Sequence, residues 1–247
     1  MTVRPILFSA PMVRSILREI EKPGTGKTQT RRVLNPQPNA MNGGLPLNNG
    51  RGAYSTAAGW KRYPITKGDL LWVREACATW TGSHRDVVYR ADETAEGWSN
   101  LQHDARLGLW KIRSSIHMPR WAARLTLEVT GVRVQRLQDI SEEDALAEGC
   151  EAHPFPGPWW QGYMDVDGEM IHQQAVGDKP PDWMIEPKRM RDMSHLDRSA
   201  RSEFKAWWNG LNAGRGFGWD VNPWVCAVTF IPHLMNVDEL LRQREAA

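Results

Sequence analysis

Lysine, threonine and arginine crowd the segment EKPGTGKTQTRR, residues 21–32. Its centre, GTGKT, suggests a phosphate loop, whose backbone N–H groups cradle phosphates while a lysine neutralises them. Gly26, Lys27 and Thr28 meet the second half of G-x-x-x-x-G-K-[ST], but Glu21 stands where the first glycine belongs. A carboxylate there would repel the phosphates. Such a loop also follows a buried strand and opens a helix. Here VRSILREIEK, with helical spacing, precedes the loop, and the two prolines of TRRVLNPQP prevent a helix after it. Phosphate-loop chemistry is therefore set aside. What remains is a set of cations, Lys27, Arg31 and Arg32, beside the hydroxyls of Thr28 and Thr30. By residue type alone they make a solvated basic loop or point charges for a phosphate.

Three other places hold residues able to do chemistry. Glu75 ends the apolar run LLWVRE, and strand alternation sends Arg74 and Glu75 to opposite faces. Glu75 is then either a buried paired charge or a substrate contact; Trp72, on the same strand, suits the core better than a stacking platform. SIHMPRWAAR carries His117, a general acid or base contact unless it is simply structural. Arg120 and Trp121 in that run can hold a phosphate and stack a base, or can pack against the fold. In FGWDVNPWV, Asp-x-Asn-Pro reads as a turn and Trp219 as a pocket wall. The seven histidines show no metal spacing, Cys150 and His153 are a poor local pair, and there is no G-x-S-x-G elbow. No metal or cofactor is called for.

The elements that must position these residues are short and mixed. RPILFSAPM reads as a strand, MVRSILREIEK as a helix stopped by Pro23-Gly24, and TQTRRVL as extended. KGDLLWVREAC and DVVYRAD are strands, and ARLTLEVTGVRVQRL is a strand broken or bulged at Thr130-Gly131. DISEEDALAEGC is a short capped helix, SARSEFKAWWNGLN a helix capped near Ser199, PWVCAVTFIPH a strand and NVDELLRQREAA a polar helix. Residues 35–66 and 151–197, rich in Gly, Pro and Asn or Trp, read as loop-rich insertions with little regular structure. Irregular alternation argues against a doubly wound sheet and for an α+β fold, a small barrel or curled sheet flanked by helices.

Composition is that of an ordinary globular chain of 247 residues with net charge +2, so charge alone does not announce a nucleic-acid binder. No apolar run is long enough to span a bilayer, and the start lacks a signal peptide's pattern. The three cysteines are far apart, as expected of reduced thiols, which fits a cytoplasmic setting. Thirteen tryptophans are unusual; most suit packing, and some suit stacking on a base.

The phrases PILFSAPMV, KTQTRR, GDLLWVRE, SIHMPRWAARLTLEVTGVRV and LQDISEEDALAEG together resemble the ASCH domain, in particular a form common in bacteriophages and prophages. The resemblance runs from about Pro5 to Ile231 and is weak over the two insertions. It implies one PUA-like β-barrel domain over residues 1–247. One ASCH branch comprises small bacterial N4-acetylcytidine amidohydrolases, whose site uses a Lys-x-x-Thr pair and a Glu on a later helix. The resemblance places these on Lys27, Thr30 and Glu148, with Arg32 following; Glu142 and Glu143 are competing registers for the glutamate. This chain is more than twice as long as those enzymes.

The implied chemistry is physically coherent. A threonine hydroxyl attacks an amide only when a base takes its proton, and a lysine is that base only with a depressed pKa. Arg31 and Arg32 suit both that depression and the oxyanion, and a carboxyl at Glu148 can protonate the leaving amine. Lys27 and Thr30 lie side by side only if residues 26–30 are irregular. The resemblance thus implies a nucleoside or nucleotide substrate; Glu75, Trp72, His117, Arg120 and Trp121 are further candidate contacts by residue type and position. The alternatives are a non-catalytic RNA- or nucleotide-binding module, or a metal-independent ribonuclease, on the same basic cleft.

Overall fold

The computed structural model describes the chain except residues 40, 43–44, 47–52, 83–84, 153–158, 177–178, 190–198 and 247. A five-stranded sheet organises the molecule: β1 (Val3–Leu7), β2 (Gln29–Val33), β3 (Leu70–Arg74), β4 (Thr126–Arg136) and β5 (Trp224–His233), in spatial order β1-β3-β4-β5-β2. β1 and β3 are parallel and the other pairs antiparallel. The helices are α1 (Ala10–Glu21), α2 (Ala95–Arg106), α3 (Glu142–Ala147), α4 (Ala200–Asn212) and α5 (Val237–Ala246).

The apolar stripe of α1 is what joins it to the sheet. Val13 and Ile16 are fully buried among Val73, Leu127, Val129, Val228 and Phe230, with Met12, Leu17 and Ile20 at the margin. Each such side chain contributes roughly 1.5–3 kcal/mol on leaving water. A second cluster joins Ile140 and Ala145 to Phe204 and Trp208 of α4 and to Trp219, which locks α3 against α4. β4 shifts register between Val129 and Gly131, the expected bulge.

The architecture is mixed α+β, and among the described residues no closed barrel forms. β1 and β2 remain the two edges of the sheet. They meet through a side chain and not through a ladder: Arg32 Nη2 donates to the carbonyl of Leu7 at the end of β1, at 2.8 Å.

Both insertions hold more regular structure than their composition suggests. In the second, Trp159–Val166, Glu169–Val176 and Ile185–Arg189 form a three-stranded antiparallel sheet. Its hairpin turns on Asp167 and Gly168, at φ 55° and 86°, the left-handed pair that a two-residue Asp-Gly turn requires. In the first, Ala53–Thr56 pairs with Gly59–Arg62. α2 was not foreseen because it buries none of its residues and so has no apolar stripe to read; Thr94 caps it by accepting from the Gly97 N–H.

Candidate active site

Two glycines bring the site's elements together. Gly26 follows α1 so closely that a Cβ there would lie 2.2 Å from the Ser15 carbonyl oxygen and 2.4 Å from the Glu19 nitrogen. That approach lets the Lys27 N–H donate to the Ser15 carbonyl at 3.0 Å. Thr28 then ties three elements, donating to Ala147 of α3 and accepting from Phe230 of β5. The amides of Gly24 and Gly26 both donate to the carboxylate of Glu19. An internal anion thus fills the loop's N–H groups, a second physical reason why GTGKT is not a phosphate loop.

Gly149 does the same from the other side. Ser141 caps α3 by accepting from the Asp144 N–H, and Glu148 closes the helix. The chain then turns at Gly149, φ +90°, where a Cβ would stand 2.5 Å from Ser15 Oγ and 3.2 Å from Lys27 Cβ. α3 therefore ends directly on Lys27. The register of the glutamate follows: Glu148 is buried, Glu143 is exposed, and Glu142 accepts from the backbone N–H groups of Ala200 and Arg201 at the start of α4.

The result is a buried charge network. Lys27 Nζ donates to Glu148 Oε2 at 2.7 Å and to the Glu148 carbonyl at 2.6 Å. Arg31 Nη1 donates to the other carboxylate oxygen at 3.0 Å, and its Nη2 to Asp144 at 2.6 Å. Gln29 and Arg133 complete the shell around Asp144. Gln29 and Arg31, two apart on β2, share the face turned to α3. Burial pushes the Lys27 ammonium below its ordinary range, with Glu148 opposing and Arg32 assisting. Burial raises the Asp144 carboxyl, but the bond from Arg133 and the charge of Arg31 outweigh it and hold the group below the usual range. Burial pushes the nearby Cys150 thiol up to about 12, so it is no nucleophile at neutral pH.

This network opens on a cavity of about 460 Å³. Lys27, Thr30, Arg31, Arg32 and Glu148 all line it, and Phe8, Phe204, Trp207 and Trp208 supply apolar walls. Lys27 Nζ and the Arg32 guanidinium lie 5.8 and 5.1 Å from the centre of the Phe8 ring. Thr30, 2% exposed, sits inside β2 opposite Val228, and its hydroxyl has no hydrogen-bond partner among the described residues. The backbone is irregular only as far as Thr28, so Lys27 and Thr30 are not paired in a turn. The ammonium is turned to Glu148.

Searches against family models, characterised proteins and solved structures give no match. The site is therefore read from its own geometry. Among the described residues no cluster of three or more His, Cys, Asp or Glu is placed to hold a metal.

The remaining sequence candidates lie outside this cavity's lining. Glu75, 1% exposed, accepts from Arg124 Nε and Nη2 at 2.9 and 3.1 Å. Trp72 is buried in a third core cluster with Leu70 and Met118. Arg120 pairs with Asp238 at the surface, Trp121 lies under the Arg85 guanidinium, and His117 sits on a one-turn 3₁₀ segment (Ser115–His117). Trp219 packs on Phe204 behind the cavity. Phe8, Phe204, Trp207 and Asn212 were missed. They come from β1's end and from α4, and no local pattern joins those elements to KTQTRR.

Proposed function

We propose that the protein is a metal-independent amidohydrolase that removes an acyl group from N4-acylated cytidine or a related modified nucleobase, on a PUA-like scaffold. One observation carries the reading: Lys27, Thr30 and Glu148, three residues from two distant parts of the chain, line one aromatic-walled cavity. Its size suits a nucleoside.

Lys27 Nζ stands 2.7 Å from Glu148 Oε2, close enough for a proton to pass between them. With that proton on Glu148, the neutral Lys27 amine swings from Glu148 into the cavity and takes the Thr30 proton as Oγ attacks the acyl carbon. The C–O bond forms, and the carbonyl oxygen becomes an oxyanion held by the guanidinium of Arg32. Collapse breaks the C–N bond, and the Glu148 proton passes to the departing N4 nitrogen. Water, deprotonated by the same network, hydrolyses the acyl-threonine and restores the pair. The products are the free nucleoside and a carboxylic acid. The test is incubation with N4-acetylcytidine while the acyl absorbance is followed. Metal-independent loss is expected, and no turnover by the wild type overturns the reading.

A second reading has its own support. Lys27 spends its bonds on the Glu148 carboxylate and carbonyl and none on Thr30. A non-catalytic nucleotide- or RNA-binding cleft needs no more than that. It predicts ligand binding without turnover, weakened by salt and by loss of Arg31 or Arg32.

A further inference from the structure

Asn212 closes α4 and lines the cavity, and it is 8% exposed. Its Nδ2 donates to the Trp208 carbonyl at 3.2 Å, which fixes which end of the carboxamide is nitrogen, because an oxygen there would face another acceptor. Its Oδ1 has no donor among the described residues. The residue is held in place from both sides. Its own carbonyl accepts from the Phe217 N–H at 3.1 Å, and Trp208 Nε1 donates to the Phe217 carbonyl at 2.7 Å. A positioned amide oxygen that no described protein group satisfies, on a mostly buried side chain lining a cavity, is available to accept a ligand's N–H. The other groups there sharpen the class: Nδ2 has a second hydrogen with no acceptor among the described residues, and Phe204, Trp207, Trp208 and Phe217 line the same cavity.

We infer that Asn212 is a specificity-determining residue of this cavity. It reads a flat heteroaromatic ring whose edge presents an N–H next to a ring nitrogen acceptor. Oδ1 accepts the ligand N–H while the free Nδ2–H donates to the ring nitrogen, a bidentate match for a carboxamide. The inference deepens the amidohydrolase reading and rests on it for the identity of the ring: in an N4-acylcytosine the N4–H and N3 form such an edge. An N4-alkyl-N4-acyl analogue lacks the donor and would cover Oδ1 without pairing it, so it is rejected.

The experiment measures binding as well as turnover. N4-acetylcytidine and N4-methyl-N4-acetylcytidine are titrated into the full chain and followed by tryptophan fluorescence, with hydrolysis recorded separately. The wild type is expected to bind the N–H compound about 100-fold more tightly. Asn212→Leu, of similar shape, should bind the two compounds within about threefold of each other; Asn212→Ser, which retains an acceptor, should keep part of the preference. Circular dichroism confirms that each variant is folded; if Asn212→Leu is not, the wild-type and Asn212→Ser comparison decides. Equal binding of both compounds by the wild type overturns the inference even if hydrolysis proceeds. So does an unchanged preference in folded Asn212→Leu. Discrimination without hydrolysis supports Asn212's role and overturns the enzyme instead. No binding of either compound overturns both.

Discussion

Glu75 and Glu148 are both buried carboxylates gripped by an arginine, and of the two only Glu148 lines the cavity beside Lys27. Around Glu75 every charge is answered. Arg124 meets both of its oxygens, also donates twice to Asp92, and lies 3.9 Å from the Tyr89 ring centre. Burial still raises the Glu75 carboxyl, with Arg124 opposing. Around Glu148 a lysine, which can give up its proton, replaces one arginine donor set, and a threonine hydroxyl and an amide oxygen without partners among the described residues line the same cavity. Burial and ion pairing are thus common to a structural bridge and a candidate site. The difference is unspent bonding capacity next to empty space.

The largest effects should separate the two regions by what they damage. Lys27→Met should lower turnover of N4-acetylcytidine by roughly 10³-fold or more, since it removes the proposed base. Arg124→Ala should leave turnover near the wild-type value but destabilise the fold by about 3–5 kcal/mol, because Glu75 stays buried without its partner. Chemical denaturation read beside the activity assay checks both. If Arg124→Ala abolishes turnover in a protein that remains folded, the contrast between the regions fails.

Next in size is Gly149→Ala. The left-handed backbone and the 2.5 Å approach to Ser15 Oγ predict a loss of about 1–3 kcal/mol, with a fall in turnover because Glu148 is displaced. Gly24, also left-handed at φ +84° but with open space around it, should cost only the backbone strain and leave turnover unchanged on conversion to alanine. Melting temperatures and rates of the two variants decide this.

The legible parts of the fold were those with a local cause. Ser141 and Ser199 announced their helices as caps, Thr130-Gly131 announced the bulge, and the spacing of Val13, Ile16 and Leu17 announced α1. The Asp167-Gly168 hairpin was equally local but was obscured by the Pro- and Trp-rich stretch around it. α2 left no apolar signal at all. For the site, Lys27, Thr30 and Glu148 were named only through a resemblance, and strand alternation alone would not pair Lys27 with Thr30. Asn212 and the aromatic wall depend on α4 packing against α3, a tertiary fact that no window of sequence contains.

Smaller effects sharpen the electrostatics. Asp144 is held below the usual carboxylate range, so its stabilisation is fully present above the unfolded value near 3.9 and is lost as pH falls through the folded value. Asp144→Asn should therefore be less stable than wild type at pH 7, and the gap should close below about pH 4 in a series of melts. Arg120→Ala is the smallest, since its ion pair with Asp238 is exposed on both sides. Less than about 1 kcal/mol should be lost, with no change in hydrolysis.

The central claim is that the cavity beside Glu148 performs hydrolysis with Thr30 as nucleophile. The most direct measurement compares the hydrolysis of N4-acetylcytidine by wild type and by Thr30→Ala, with matched folding shown by circular dichroism. Metal-independent turnover by the wild type and a loss of roughly 10³-fold or more in the variant are expected. Equal turnover by the two proteins, or none by the wild type, would contradict it.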